Sequence, residues 1–356
     1  MNDVVIRIEG GVGRLTLSRP QALHALNTQM CADMTAALLQ WRTDDRVKLV
    51  LIDHAEGTRG FCAGGDIRML ADSGEGDGRE AREFFHTEYR LNHLLFTYPK
   101  PVVAIMDGVT MGGGVGISMP AKFRIATENT TYAMPETGIG LFPDVGGGWY
   151  LPRKPGQIGM WLALTGARLK AADCIVAGVV THYLPTEILA AARAQIAGAA
   201  QTHDPERALE SGLDALSESA GTPKELTAEH IERISRAFAC ESVEAIMVAL
   251  EDDGSDWAKA QLKALATKSP QTLKVAFRQL REGAAMMTFA DEMRQEYRIG
   301  ARVVQRHDFV EGVRALIIDK DNAPKWDPPT LAGVTSAMLD EIFAPLPAAD
   351  EWSPLP

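Results

Sequence analysis

Residues 102–126 read VVAIMDGVTMGGGVGISMPAKFRIA, and the order of events in that stretch decides the fold class. Val102–Met106 is a short apolar run, the look of a strand covered on both faces. The glycine-rich turn Gly112-Gly113-Gly114-Val115-Gly116 follows, then a short helical stretch, then a second strand at Phe123–Ala126. Strand, turn, helix, strand is a crossover unit of an α/β core.

The same cycle is legible upstream. Val47–Ile52 (VKLVLI) is another nearly continuous apolar run, followed by a helix over Arg79–Phe96 and a break at Pro99-Lys100-Pro101. Before it, Met30, Met34, Leu38 and Trp41 recur at helical spacing from Thr28, and Val4–Ile8 and Val12–Leu17 flank a glycine turn as a β-hairpin. The polar run Gly74–Gly78 (GEGDG) reads as a surface loop. Downstream of about Leu184 the strand signals fade into Ala-, Leu- and Glu-rich helical windows reaching about Arg302, with linkers near His203-Asp204-Pro205 and Gly221-Thr222-Pro223. The expected organisation is a catalytic core over 1–200 and a helical C-terminal region over 201–356.

Composition narrows the function classes. Of the 356 residues, 46% are hydrophobic and 23% charged, which is ordinary globular usage. A net charge of −11 argues against nucleic acid, whose phosphates need a basic surface. No apolar stretch of about 18 residues occurs, so no membrane partner is expected. The start, MNDVVIRIEG, lacks the look of a targeting segment, and the expected location is cytoplasmic. Cys31, Cys62, Cys174 and Cys240 show no paired or metal-ligand spacing and read as reduced thiols.

Three segments carry chemistry. The turns Phe61-Cys62-Ala63-Gly64-Gly65-Asp66-Ile67 and Met111–Gly116 each follow the C-terminal end of a strand and precede a helix, where backbone N–H groups face a ligand. Two such amides make an oxyanion hole; alternatively these are tight turns and close-packing glycines. The spacing does not fit a dinucleotide fingerprint. The third segment, MPETGIGLFPDVGGG (134–148), sets Glu136 and Asp144 in an apolar, glycine-punctuated loop, where burial drives carboxyl pKa values apart. The competing reading gives both carboxylates to local caps, Asp144 on a helix starting near Val145.

Together AGGDI, MGGGVG and MPETGIGLFPDVGGG resemble the enoyl-CoA hydratase/isomerase, or crotonase, superfamily. The resemblance is clear over Ile6–Pro152 and Ser269–Pro328, including DFVEGVRALIIDKDNAPKW from Asp308 to Trp326. Within the superfamily the chain is most similar to the branch hydrolysing short β-hydroxyacyl-CoA thioesters. The resemblance implies 3-hydroxyisobutyryl-CoA as substrate, a step of valine catabolism, and a spiral of repeated ββα units with a helical C-terminal region. It assigns the oxyanion hole to the Gly65 and Gly113 amides and catalysis to Glu136 and Asp144. It assigns substrate contact to Glu88, Gly113, Glu136 and Asp144. It implies no metal or redox cofactor, CoA being part of the substrate, and leaves open whether the chain forms a homo-oligomer or folds its helical part back on its own core.

Two departures from the superfamily pattern bear on the reaction. Hydratases carry a glutamate where this chain has Gly116, and many have glycine where it has Asp144, which puts hydration in doubt and counts less against isomerisation. His24 stands where the family often has Asn, and reads as a packing or CoA-rim residue. Arg19, Arg68, Lys320 and Lys325 are candidate cations for the CoA phosphates, the alternative being that each is an ordinary solvated surface charge. The remaining alternative is a non-catalytic acyl-CoA-binding protein.

Overall fold

Gly10 and Gly11 take φ of +55° and +85°, the left-handed pair a two-residue hairpin turn needs. They join β1 (Val4–Glu9) antiparallel to β2 (Val12–Leu17), with Glu9 opposite Val12. The computed structural model describes residues 2–356. Helix α1 (Thr28–Arg42) is capped by Asn27, whose side chain accepts from the Met30 N–H at 2.8 Å. It buries Met30, Met34, Leu38 and Trp41 and returns the chain to β3 (Leu49–His54), parallel to β2. The strand expected at 47–52 therefore runs two residues later and ends on buried polar residues. Asp53 is satisfied there by Arg14 at 2.7 Å, Thr16 at 2.8 Å and Arg193 at 3.3 Å, partners that local apolar patterning does not register.

Helices α2 (Ile67–Glu75) and α3 (Arg79–Phe96) lead to β4 (Val102–Met106). Gly74 and Glu75, expected in a loop, finish α2 instead. A Cβ on Gly74 would lie 2.1 Å from the Val304 carbonyl oxygen, so this glycine serves close packing rather than flexibility. Then come β5 (Val109–Met111), α4 (Gly113–Ser118), β6 (Phe123–Ala126), β7 (Thr131–Ala133), α5 (Gly147–Tyr150), α6 (Ile158–Thr165), α7 (Ala171–Val176) and β8 (His182–Tyr183).

Six of the strands form one sheet in the order β1-β2-β3-β4-β6-β8, parallel except for β1. A second layer collects the short extended pieces that follow each long strand. Leu26 bridges Gly65, Cys62 bridges Thr110, β5 pairs with β7, and Tyr132 bridges Leu169. Each turn of the chain thus adds one strand to the large sheet and one short piece beside it, the expected spiral.

Alternation along the strands sends Leu49, Leu51, Val103 and Ile105 to one face and Val50, Ile52, Ala104 and Met106 to the other. Helices α8 (Leu189–Ala199) and α9 (Pro205–Leu216) cover the first face. The expected boundary near residue 200 falls between these two helices, which pack on each other. His203-Asp204-Pro205 is a helix start: Asp204 accepts from the Arg207 N–H at 3.2 Å and Pro205 takes the first helical position.

Helices α10 (Ala228–Ala237), α11 (Val243–Asp253), α12 (Asp256–Leu265), α13 (Pro270–Gly283), α14 (Phe289–Val303), α15 (His307–Val313) and α16 (Ser336–Phe343) complete the chain, beyond the expected end near Arg302. They fold back on their own core, α14 against α3 and α13 against α5 and α6, in an apolar cluster running from Val4 to Trp352. No helix among the described residues is long and apolar enough to cross a membrane.

Candidate active site

The second layer brings the two glycine turns together. The N–H groups of Phe61 and Cys62 both donate to the Val109 carbonyl at 2.9 Å, and the Met111 N–H donates to the Cys62 carbonyl at 3.0 Å. The backbones then run so close that a Cβ on Gly108 would lie 2.6 Å from the Gly60 Cα. Gly112 adopts φ +45° and ψ −120°, a conformation that suits glycine.

Backbone contacts orient the Gly65 amide, the first of the two assigned to the oxyanion hole. Leu26 donates to the Gly64 carbonyl at 2.8 Å and accepts from the Asp66 N–H at 2.9 Å. Successive extended residues alternate direction, so the intervening Gly65 N–H faces away from Leu26. Gly113 opens α4, where a first-turn N–H has no partner within the helix. Gly65 and Gly113 both border a cavity of about 550 Å³.

Glu88, Glu136 and Asp144 line the same cavity. Glu136 opens a single 3-10 turn (Glu136–Ile139) after β7, and its Oε1 lies 3.4 Å from where a Cβ on Gly112 would be. Glu88 comes from α3, its Oε1 only 2.5 Å from a Cβ position on Gly113. Any side chain at 113 would displace it. Asp144 Oδ2 accepts from the Tyr89 hydroxyl at 2.8 Å. Glu88 Oε1 and Glu136 Oε2 are buried without a hydrogen-bond partner among the described residues. Buried polar atoms left open in this way are costly unless something else meets them.

The electrostatics follow from burial. Desolvation, then the neighbouring Asp144, holds Glu136 and Glu88 well above the usual carboxylate range. Desolvation also lifts Asp144 to about 6, with the Tyr89 hydroxyl pulling the other way. The capping alternative fails for both loop acids. Glu136 caps no helix, and the amides at the start of α5 go elsewhere: Gly146 and Gly148 donate to Glu296 at 2.8 and 3.1 Å.

The cations expected at the CoA phosphates do not border this cavity. Arg19 is committed to Asp66 at 2.7 Å, and neither Arg68, Lys320 nor Lys325 is among the lining residues. The C-terminal run contributes differently. Residues Arg314–Ile318 wind as a π-turn, and Leu316, Ile317 and Asn322 line the wall. The cavity's cations are Arg168 and Lys268, which sequence reasoning passed over because neither sits in a motif. Lys268 is half-buried, and its Nζ is 3.4 Å from a Cβ position on Gly138. Tyr89 and Glu296 were missed for the same reason. His24 is packing, not rim: its Nδ1 accepts from the Arg19 N–H at 3.0 Å, its Nε2 meets the Thr58 hydroxyl at 2.8 Å, and burial lowers it to about 4.

Comparison with known proteins agrees with this architecture. The sequence profile of the enoyl-CoA hydratase/isomerase family matches residues 12–343. The mitochondrial 3-hydroxyisobutyryl-CoA hydrolase of Xenopus tropicalis is 44% identical over 96% of this chain and 88% of that protein. The Homo sapiens protein of the same name is 40% identical over 98% and 90%. Among solved structures, a carnitinyl-CoA dehydratase from Mycobacterium thermoresistibile superposes with a TM-score of 0.90 at 39% identity, covering 98% of each chain. An enoyl-CoA hydratase from Rhodobacter sphaeroides 2.4.1 does so at 0.88 and 38%, covering 99% of this chain and 100% of that one. With the spiral, the paired glycine turns and the matched profile all spanning the same residues, the chain belongs to the enoyl-CoA hydratase/isomerase family.

Proposed function

We propose that this chain hydrolyses a short β-hydroxyacyl-CoA thioester, 3-hydroxyisobutyryl-CoA first, to 3-hydroxyisobutyrate and CoA. The observation that carries the reading is that three buried carboxyls and two glycine turns border one cavity. The relatives named 3-hydroxyisobutyryl-CoA hydrolase, 40–44% identical, support it.

In this reading the thioester oxygen accepts hydrogen bonds from the Gly65 and Gly113 N–H groups. They take up the negative charge that forms there as the carbonyl carbon becomes tetrahedral, and one such donor is worth on the order of 100- to 1000-fold in rate. Two routes use the same geometry. In one, the proton that the Glu136–Asp144 pair retains shifts from Glu136 to Asp144, a Glu136 carboxylate oxygen bonds to the carbonyl carbon, the C–S bond breaks, and CoA leaves as the thiol with that proton. Water then opens the anhydride, returning a proton to Asp144, and the acid product ionises. In the other, Glu136 takes a proton from water as the water adds, and passes it to the departing sulfur. Glu88 Oε1 meets the acyl part, and Arg168 and Lys268 supply positive charge toward the CoA arm. The reaction so written needs no group beyond the substrate's own CoA.

A hydratase or dehydratase reading draws on the names of the two similar structures. Position 116 speaks against it: a Cβ there would lie 2.7 Å from both the Val145 Cβ and the Asn92 Nδ2, leaving no room for a glutamate. The expected compartment is the cytoplasm, and the unpaired state of all four cysteines suits a reducing one; the relatives cited are mitochondrial. Thiol release from 3-hydroxyisobutyryl-CoA and from crotonyl-CoA, in wild type, Glu136→Gln and Asp144→Asn, tests the function. Release from the hydroxyacyl thioester that both substitutions abolish supports hydrolysis. Loss of crotonyl-CoA absorbance without thiol release replaces it with hydration. Single turnover in ¹⁸O-water separates the routes, since only the anhydride route leaves label in Glu136.

A further inference from the structure

We propose that Glu296, outside the cavity, is a positioning residue for the reaction: its carboxylate clamps the turn after Asp144 and so aims the Asp144 side chain at the substrate. The inference rests on the hydrolase reading for its kinetic consequence, while the clamp itself is a matter of geometry.

Asp144 sits just before a backbone conformation that does not hold itself. Val145 takes φ +54°, unfavourable for a β-branched residue, and Gly146 follows at +91°. Such a conformation persists only where its surroundings over-determine it. Here they do. Glu296 on α14 accepts from the Gly146 N–H at 2.8 Å through Oε2 and from the Gly148 N–H at 3.1 Å through Oε1. Gln279 on α13 donates from Nε2 both to Glu296 Oε1 at 3.1 Å and to the Pro143 carbonyl at 2.8 Å. The backbone is therefore tied on both sides of Asp144, and the Tyr89 hydroxyl fixes the side chain between those ties.

Glu292, one helical turn before Glu296, explains how a carboxylate survives in this place. It is fully buried, and neither of its oxygens has a hydrogen-bond partner among the described residues. Two glycines make room for it: a Cβ on Gly148 would lie 1.8 Å from its Oε1, and one on Gly283 would lie 2.8 Å from its Oε2. The charged and titratable groups around the pair are Asp144, Tyr89, Tyr150, Glu282 and Arg153. Burial lifts both acids, Glu292 to about 8, so the pair retains a proton at neutral pH. Three N–H groups donate to Glu296, whereas the one amide near Glu292, that of Gln279, is already engaged with Glu296 and Pro143. The proton belongs on Glu292, and the charge on Glu296, where the donors are.

This division makes two near-identical substitutions behave differently. Glu296→Gln keeps the shape but puts an NH₂ where an oxygen receives a donor, so one tie becomes a donor–donor contact. A misplacement of about 1 Å costs about 100-fold, so kcat for thiol release from 3-hydroxyisobutyryl-CoA should fall about 10- to 100-fold with KM within about twofold. Glu292→Gln replaces a neutral acid by a neutral amide and should leave kcat within about twofold. Equal losses in the two variants, a Glu296→Gln kcat near wild type, or a loss confined to KM would each overturn the proposal. Should Glu296→Gln yield no folded protein, Gln279→Met removes one donor and the tie to Pro143, and the same kcat-against-KM split applies. A wild type that releases no thiol refutes the hydrolase reading instead. The clamp is then judged on the crystal structure of Glu296→Gln: an unmoved Val145 and an intact Tyr89–Asp144 bond would sink it.

Discussion

Replacing Asp144 with Asn should make this protein more stable and less active, and the size of the gain follows from burial. Asp144 is 5% exposed, and its carboxyl is lifted from an ordinary 3.8 to about 6. Between about pH 4 and pH 6 the folded protein keeps a proton that the unfolded chain has released. Stability therefore falls as pH rises through that window and levels off above it. At about 1.4 kcal/mol per pH unit the ionised carboxylate costs about 3 kcal/mol above pH 6. Asparagine carries no charge, and its Oδ1 can still accept from Tyr89. For 356 residues the unfolding entropy is roughly 0.75 kcal/mol per kelvin, so the gain is about 4 °C in Tm. Neutralising Asp144 also relieves Glu136 and Glu88, which it pushes up, adding in the same direction. Thermal melts of wild type and Asp144→Asn at pH 4 and pH 8, with thiol release measured on the same preparations, provide the assay. The variant should melt about 4 °C higher at pH 8, within about 1 °C at pH 4, and lose at least about 100-fold in kcat. Equal melting temperatures at pH 8 would refute the claim that this carboxylate is held charged against its surroundings.

Two further substitutions probe the cavity. Gly116→Glu, which restores the hydratase residue, should cost about 1–3 kcal/mol from overpacking against Val145 and Asn92 and gain no crotonyl-CoA hydration, read by denaturant unfolding and absorbance; a hydrating variant would show that the site adapts. Lys268 holds Glu136 down, so Lys268→Met should move the acid limb of kcat/KM to higher pH while Lys268→Arg leaves it in place; an unmoved limb in the Met variant would remove Lys268 from the electrostatics of the site.

What local sequence could carry, it carried well. The hairpin at Gly10-Gly11, the helix through Met30 and Trp41, and the strand at Val102–Met106 follow from turn chemistry and periodicity, which are properties of neighbouring residues. The errors lie where distant groups intervene. Gly74 looks like a loop residue until Val304 closes on it, and the strand after α1 runs on to His54 because Arg14 and Arg193 meet Asp53. Lys320 and Lys325 sit in a recognisable run, yet it is Leu316, Ile317 and Asn322 of the same run that line the cavity, since a π-turn sets which side chains face inward.

The sequence by itself determined the α/β class and the two glycine turns, because each is written in contiguous residues whose backbone demands are local, and it set Glu136 and Asp144 in one apolar loop. Only the tertiary structure decided that both turns and all three acids share one cavity, that Arg168 and Lys268 are its cations, and that Glu296 ties down the turn after Asp144. Those contacts join residues up to 150 positions apart, and a hydrogen bond across that separation leaves no trace in the pattern of either segment until packing brings the two together.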